Sequence, residues 1–177
     1  PRPAQPRREQ LHDQVIAVAL DGDRRQPVGL AVDQAHTLQR VQIAEAAARA
    51  NVRVAIEVIP NALSDAEQLA WLVEEQLDGF DVGVCLDYGH AHLMGDLGEA
   101  IETLSGHLWT THLHDNGGKR DDHLTPYLGT IDWDAAMMER QKIGYDGVLM
   151  FEVSDTGDPV DVLKRCVKAR ERLEKTL

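Results

Sequence analysis

The sequence predicts an α/β fold built around a parallel sheet, and three observations carry that reading. Short apolar, β-branched runs alternate with helix-patterned stretches along most of the chain. The runs are nearly continuous in apolar residues, as expected for strands buried on both faces. Ligand-type polar residues fall at one place in each run, its C-terminal end, where parallel α/β folds build their sites. A GxGxxG phosphate loop is absent. Of the two parallel architectures, an open doubly wound sheet and part of a (β/α)8 barrel, the barrel segment is therefore favoured.

The elements follow in order. Residues 1–14 read as an extended or disordered lead-in, because the first ten, PRPAQPRREQ, hold three Pro and three Arg and no apolar stripe. VIAVAL (15–20) is a short, weaker strand at the front of a unit spanning 15–177. HTLQRVQIAEAAARA (36–50) has helical spacing, and VRVAIEVI (52–59) is a strand. SDAEQLAWLVEEQL (64–77) opens on Ser64 with Glu67 three residues later, a capping-box pattern. VGVCLDY (82–88) is a strand, DLGEAIETLSG (96–106) a short helix ending in Gly, and LWTTHLHD (108–115) a strand. DWDAAMMERQKIG (132–144) is a helix, GVLMFEV (147–153) a strand, and DPVDVLKRCVKARERLEKTL (158–177) a terminal helix with basic residues late, where they suit its dipole.

Composition narrows the function. With 177 residues, 43% hydrophobic and 27% charged, the chain has the profile of a soluble globular domain with one core. The net charge of −12 argues against a broad phosphate-binding surface, so no nucleic-acid partner is expected. No apolar run is long enough for a membrane span, and no signal-peptide pattern is present, so a cytoplasmic protein is expected. Cys85 and Cys166 form no CxxC pair and read as reduced thiols.

The strand ends carry the chemistry. Glu57 closes VRVAIE, and Asp87 closes VCLD with His90 three residues on. His112 and His114 close WTTHLH, and Glu152 closes VLMFE. A lone carboxylate in such a run is costly unless it is paired or bound to a cation, and several strands carry that cost at the same end. Two Glu, one Asp and one His form a mostly oxygen ligand set suited to Mn²⁺, Mg²⁺ or Co²⁺, with Zn²⁺ also open. The loop THLHDNGGKRDDHLTPYLGTIDW (111–133) adds Asp121 and His123 as D-x-H.

The stretches VAIEVIPN, CLDYGHAHL, HLHDNGGKRDDHLTPYLGTIDW and YDGVLMFEV resemble, in order, the last four strand ends of the xylose isomerase-like TIM barrel superfamily. That group includes sugar phosphate isomerases and epimerases, ketose 3-epimerases, inosose dehydratases and apurinic endonucleases. The resemblance implies a partial (β/α)8 TIM barrel of four to five parallel βα units, strands 4/5 to 8. It implies one divalent metal ion (Mn, Co, Mg or Zn) held by Glu57, Asp87, His112 and Glu152, with His112 favoured over His114 as the ligand. Glu57 and Glu152 are implied as the catalytic carboxylates. His90, His114, Asn61 and Arg120 (or its neighbour Lys119) are implied around the substrate, and Asp121 and His123 at a second metal or in the pocket. The sequence departs from the family pattern at Tyr127 and Leu128, where a Gly and its neighbour are usual, and at Val58, where many relatives carry Asn. A whole barrel of this kind takes about 250 residues, so the N-terminal half is expected to be missing here.

The function implied is a metal-dependent isomerase or epimerase acting on a small sugar, sugar phosphate or polyol by proton transfer at the carbon beside a chelated carbonyl. Two alternatives stand beside it. One is an apurinic endonuclease-type phosphodiesterase, which Asp121 and His123 suit and the charge does not. The other is an inactive half-barrel whose open sheet edges favour homo-oligomers.

Overall fold

The computed structural model describes residues 15–18, 34–154 and 157–176. The expected lead-in and His12 lie outside them. Five strands form one parallel sheet in chain order: β1 (Val15–Val18), β2 (Arg53–Glu57), β3 (Val82–Asp87), β4 (Leu108–Leu113) and β5 (Met150–Phe151). The connections are helical: α1 (Gln34–Ala50), α2 (Ala66–Trp71), α3 (Tyr88–Met94), α4 (Leu97–Thr103) and α5 (Trp133–Lys142), with α6 (Pro159–Leu173) closing the chain. Consecutive parallel strands joined by helices are the βα repeat the sequence predicts, and the arrangement is a partial barrel.

Strand alternation divides the sheet into two faces. On β2 and β3, Val54, Ile56, Val82, Val84 and Leu86 join the apolar core with Leu69, Leu72, Leu77, Ile101 and Leu104. Between α1 and the sheet, Arg40, Ile43 and Ala44 meet Val54, Ile56 and Val82. Ala55, Glu57, Gly83, Cys85 and Asp87 occupy the alternate positions and face the other way. Trp133 at the start of α5 is wholly buried and stacks on Tyr88, ring centroids 5.8 Å apart.

Helices α2 to α6 all begin on an aspartate: Asp65, Asp87, Asp96, Asp132 and Asp158 each accept from a backbone N–H of the first turn. The expected cap at Ser64 moves one residue on. Asp65 Oδ1 takes the Gln68 N–H at 2.8 Å, a charged acceptor at the positive end of the helix, and Ser64 is buried behind it. The helix expected over 64–77 is α only to Trp71 and then widens into a π-turn, Leu72–Gln76, closed by Leu77 N–H to Leu72 O at 3.0 Å. Helix α3 was not expected from sequence. The strand expected over 147–153 is shorter, with ladder pairs at Met150 and Phe151 and one further bond from Glu152 N–H to Leu113 O.

Below the site the β3–β4 ladder is irregular. Val84 pairs with Leu108 and Cys85 with Thr110, so Trp109 is an extra residue in β4. Its ring lies over Gly83, where an added Cβ would come within 2.3 Å of it, and the Arg53 guanidinium covers the ring at 3.9 Å. Gly83 is thus the space Trp109 needs, and Trp109 fills the sheet face beneath the polar cluster. Gly83→Ala is expected to destabilise the fold by about 1–3 kcal/mol through overpacking, read from the urea midpoint. An unchanged midpoint would mean that the indole moves aside freely.

Candidate metal centre

Register brings the strand-end residues to one level. Glu57 pairs with Cys85, so Asp87 stands two residues beyond it; Asp87 pairs with His112, and His112 with Met150, two residues before Glu152. This stagger is that of strands tilted as in a barrel. The Glu152 N–H extends the pairing to Leu113 O at 3.0 Å.

The result is one compact set. Ligand atoms of Glu57, Asp87, His112 and Glu152 all lie within 4.8 Å of one another. His112 Nδ1 is 2.8 Å from Glu57 Oε1, 2.8 Å from Glu152 Oε2 and 4.0 Å from Asp87 Oδ2. An ionised carboxylate only accepts, so Nδ1–H donates to Glu57, with Glu152 close by. The hydrogen bond to Glu57 raises the His112 pKa; burial opposes this, and the charges of Glu57, Glu152 and Asp87 reinforce it. The same carboxylates, with burial as the larger cause, push the Cys85 thiol far up.

Asp87 is completely buried. Its Oδ1 caps α3 by accepting the His90 N–H at 2.7 Å. Its Oδ2 has no hydrogen-bond partner. A buried carboxylate oxygen left without a donor, three further ligand-type groups around it and a mostly oxygen donor set fit a divalent cation.

A second set adjoins the first, and ligand atoms of His90, His114, Asp121 and His123 again lie within 4.8 Å of one another. His90 Nδ1–H donates to Val58 O at 2.9 Å and His123 Nδ1–H to Glu152 O at 3.0 Å. Their Nε2 atoms then face Asp121 Oδ2 at 3.1 and 3.2 Å. Imidazoles tethered through Nδ1 with Nε2 converging on a carboxylate are oriented as metal-ligating histidines are. Burial pushes the Asp121 carboxyl up, and His90, His123 and His114 more than offset this, so it lies low. His114 is fully buried and stacks on His123 at 3.9 Å. Its Nε2 lies 2.9 Å from Asp87 Oδ1, out of line for a hydrogen bond, so neither ring nitrogen has a hydrogen-bond partner. An added Cβ on Gly89 would come within 2.0 Å of this ring, so glycine there admits His114 against α3.

The structure therefore groups His112, not His114, with Glu57, Asp87 and Glu152. Asn61 is turned into its own loop, where Oδ1 accepts the Leu63 N–H at 2.9 Å. Arg120 is 83% exposed and pairs with Asp122 at 3.1 Å, and Lys119 beside it is exposed. His107 sits 2.8 Å from Glu74, and His92 meets Thr130 at 2.9 Å. Cys85, which the sequence gives only as a reduced thiol, lies on the same face as the first set. Its position two residues before Asp87 was the available signal that it shares that residue's face.

Asp115, unremarked in the sequence, fixes the loop that carries the second set. Its buried carboxylate accepts from Asn116 N (2.9 Å), Ile131 N (3.2 Å), Tyr127 N (3.0 Å) and Trp133 Nε1 (2.8 Å). Its backbone pairs both ways with Leu124. The loop is thereby tied to α5 and held over the strand ends.

The family described as xylose isomerase-like TIM barrel matches residues 10–175. An uncharacterized protein of Sinorhizobium fredii is 39% identical over 106 residues, 58% of this chain and 33% of that protein. One of Methanocaldococcus jannaschii is 29% identical over 125 residues, 67% of this chain and 43% of that protein. Among solved structures, a D-tagatose 3-epimerase-like protein matches with TM-score 0.70 and 23% identity, covering 92% of this chain and 61% of its own. The IOLI protein with a bound zinc atom matches with TM-score 0.77 and 19% identity, over 90% and 62%. D-psicose 3-epimerase crystallised with D-fructose matches with TM-score 0.68 and 21% identity, over 88% and 60%. The chain thus spans about a third to two fifths of these relatives' length and about three fifths of these solved chains.

Two outcomes are expected. A histidine with a raised folded pKa adds stability that is complete below its ordinary value near 6.5 and fades as pH rises through the folded value. Chelator-treated protein should therefore lose stability as pH rises through the range above about 6.5, and His112→Gln should flatten that slope in urea unfolding. Asp115→Asn should cost about 1.5–3 kcal/mol, because one of the two acceptor oxygens becomes an NH₂ donor facing donors; an unchanged midpoint would remove Asp115 as the loop's anchor.

Proposed function

The chain belongs to the xylose isomerase-like TIM barrel family, and from that premise we propose that it carries the metal-binding half of a sugar isomerase or epimerase site. The observation that carries the reading is the junction at His112. Two carboxylates, Glu57 and Glu152, approach one ring nitrogen at 2.8 Å each, beside the partnerless Asp87 Oδ2. Glu57, Asp87, His112 and Glu152 would hold one divalent ion. When bound, such an ion polarises a substrate carbonyl and acidifies the adjoining C–H.

The remaining work belongs to the chain's own groups. Glu57 and Glu152 come from β2 and from the end of β5, on opposite sides of the set. One can take the proton from the carbon next to the carbonyl, and the other can return it. Asp87 is committed through Oδ1 to the α3 cap and serves as a fixed negative ligand rather than a proton carrier. His90, held by Val58 O, would orient substrate oxygens, and His114, fully buried, packs against it and fixes its place. The substrate class proposed is a small ketose or polyol, in keeping with the sugar epimerases among the structural neighbours. The chain spans about three fifths of those solved structures, so the choice among sugars is left open by this reading.

One observation favours a second reading. The set His90, His114, Asp121 and His123 is complete within the chain and suits a second cation, as in two-ion phosphodiester hydrolysis. The net charge of −12 makes DNA a poor partner for it. Nicking of abasic DNA by the metal-loaded chain, absent on the sugar reading, separates the two.

Solvent deuterium incorporation into D-psicose, D-tagatose or D-fructose tests the sugar reading. Glu152→Gln should lower it at least about 10²-fold while Mn²⁺ still raises the melting temperature. Exchange at the wild-type rate in the variant would remove Glu152 from proton transfer, and no thermal shift with any divalent ion in the wild type would remove the metal centre.

A further inference from the structure

Cys85 at the base of this centre has no part in the oxygen-rich set. Strand alternation turns it to the same face as Asp87, and the register sets it directly opposite Glu57. It is completely buried. Its sulfur, a Glu57 oxygen and a His112 ring nitrogen lie within 4.8 Å of one another. Glu57 and His112 thus belong to two overlapping sets. One is completed above by Asp87 and Glu152, the other below by a thiol. The partnerless Asp87 Oδ2, 4.0 Å from His112 Nδ1, independently marks this pocket as short of a cation.

Resting on the reading of this pocket as a divalent-metal centre, we infer that Cys85 gives it a second, softer seat, in which a thiophilic ion binds through Glu57, His112 and the Cys85 sulfur. Hard ions such as Mn²⁺ and Mg²⁺ stay with the carboxylates, because thiolate favours soft and borderline metals. As the metal–sulfur bond forms the S–H bond breaks, its proton passes to the buffer, and no electron is transferred. The deeper seat shares Glu57 with the proposed proton-transfer pair, so a soft ion held there occupies that carboxylate. The residue is a metal-selectivity determinant rather than a catalytic one.

Cd²⁺ titrated into chelator-treated protein tests this. The expected result is an ultraviolet cadmium–thiolate charge-transfer band that saturates at one ion per chain, is lost in Cys85→Ser and is kept in Cys166→Ser. Cadmium NMR of the wild type reads sulfur ligation without any variant having to fold. Mn²⁺ binding by the same sample, followed by electron paramagnetic resonance, separates the two readings. Mn²⁺ bound with cadmium showing only nitrogen and oxygen ligands overturns the inference and leaves the centre standing. Failure of both ions to bind overturns both. A band that survives Cys85→Ser overturns the inference as well.

Discussion

The structure turns on a single buried carboxylate. Asp87 ends the central strand β3 and starts α3, and it is fully removed from solvent. One oxygen is consumed by the α3 cap, which fixes the side chain. The other is left facing Glu57, His112 and Glu152 with no donor of its own. A folded chain retains such an oxygen only where something offsets the desolvation. Beside it His112 Nδ1 donates to Glu57, with Glu152 Oε2 2.8 Å away, and a proton on this ring supplies positive charge next to Asp87. That proton occupies the place a cation would take, so the two compete.

Around that carboxylate the molecule is layered. Beneath it Cys85 and then Gly83 and Trp109 fill the sheet face, with the β4 bulge making room for the indole. Above it the loop from β4 to α5 brings Asp121 and His123 over the strand ends, and Asp115 ties that loop to the backbone of its own far end and to Trp133. Trp133 stacks on Tyr88, the residue directly after Asp87. The loop anchor and the metal-site carboxylate are therefore joined through one packed aromatic pair. Four charge-assisted acceptor contacts on Asp115 hold this loop despite its glycines.

The overlap of ligand sets gives the centre its chemical character. His90 touches both, through the Asp87 cap and through Asp121, and the Glu152 carbonyl tethers His123 while its carboxylate meets His112. An ion bound in one set therefore moves charge in the other. Among the described residues the sheet is open at β1 and β5, and Val160, Leu163 and Val167 on α6 are exposed. Glu152, on the β5 side, is the most exposed of the four candidate ligands.

Much of this was legible in the chain. Hydrophobic continuity identifies the strands, and the coincidence of Glu57, Asp87, His112 and Glu152 at their C-terminal ends identifies the candidate set, because strand ends of one parallel sheet lie side by side. Strand alternation alone does not separate His112 from His114, since both close the same strand and face the same way; the family resemblance favours His112, and the register, with Asp87 opposite His112, groups it with the carboxylates. Helix α3 was hidden because YGHAHLM has no apolar stripe and forms on the strength of the Asp87 cap and burial. Asn61 and Arg120 turned elsewhere because local partners, Leu63 N–H and Asp122, were nearer than the centre. Residue type and alternation fixed what lies on the functional face. Stagger between strands, which no local pattern encodes, decided which atoms come within bonding reach.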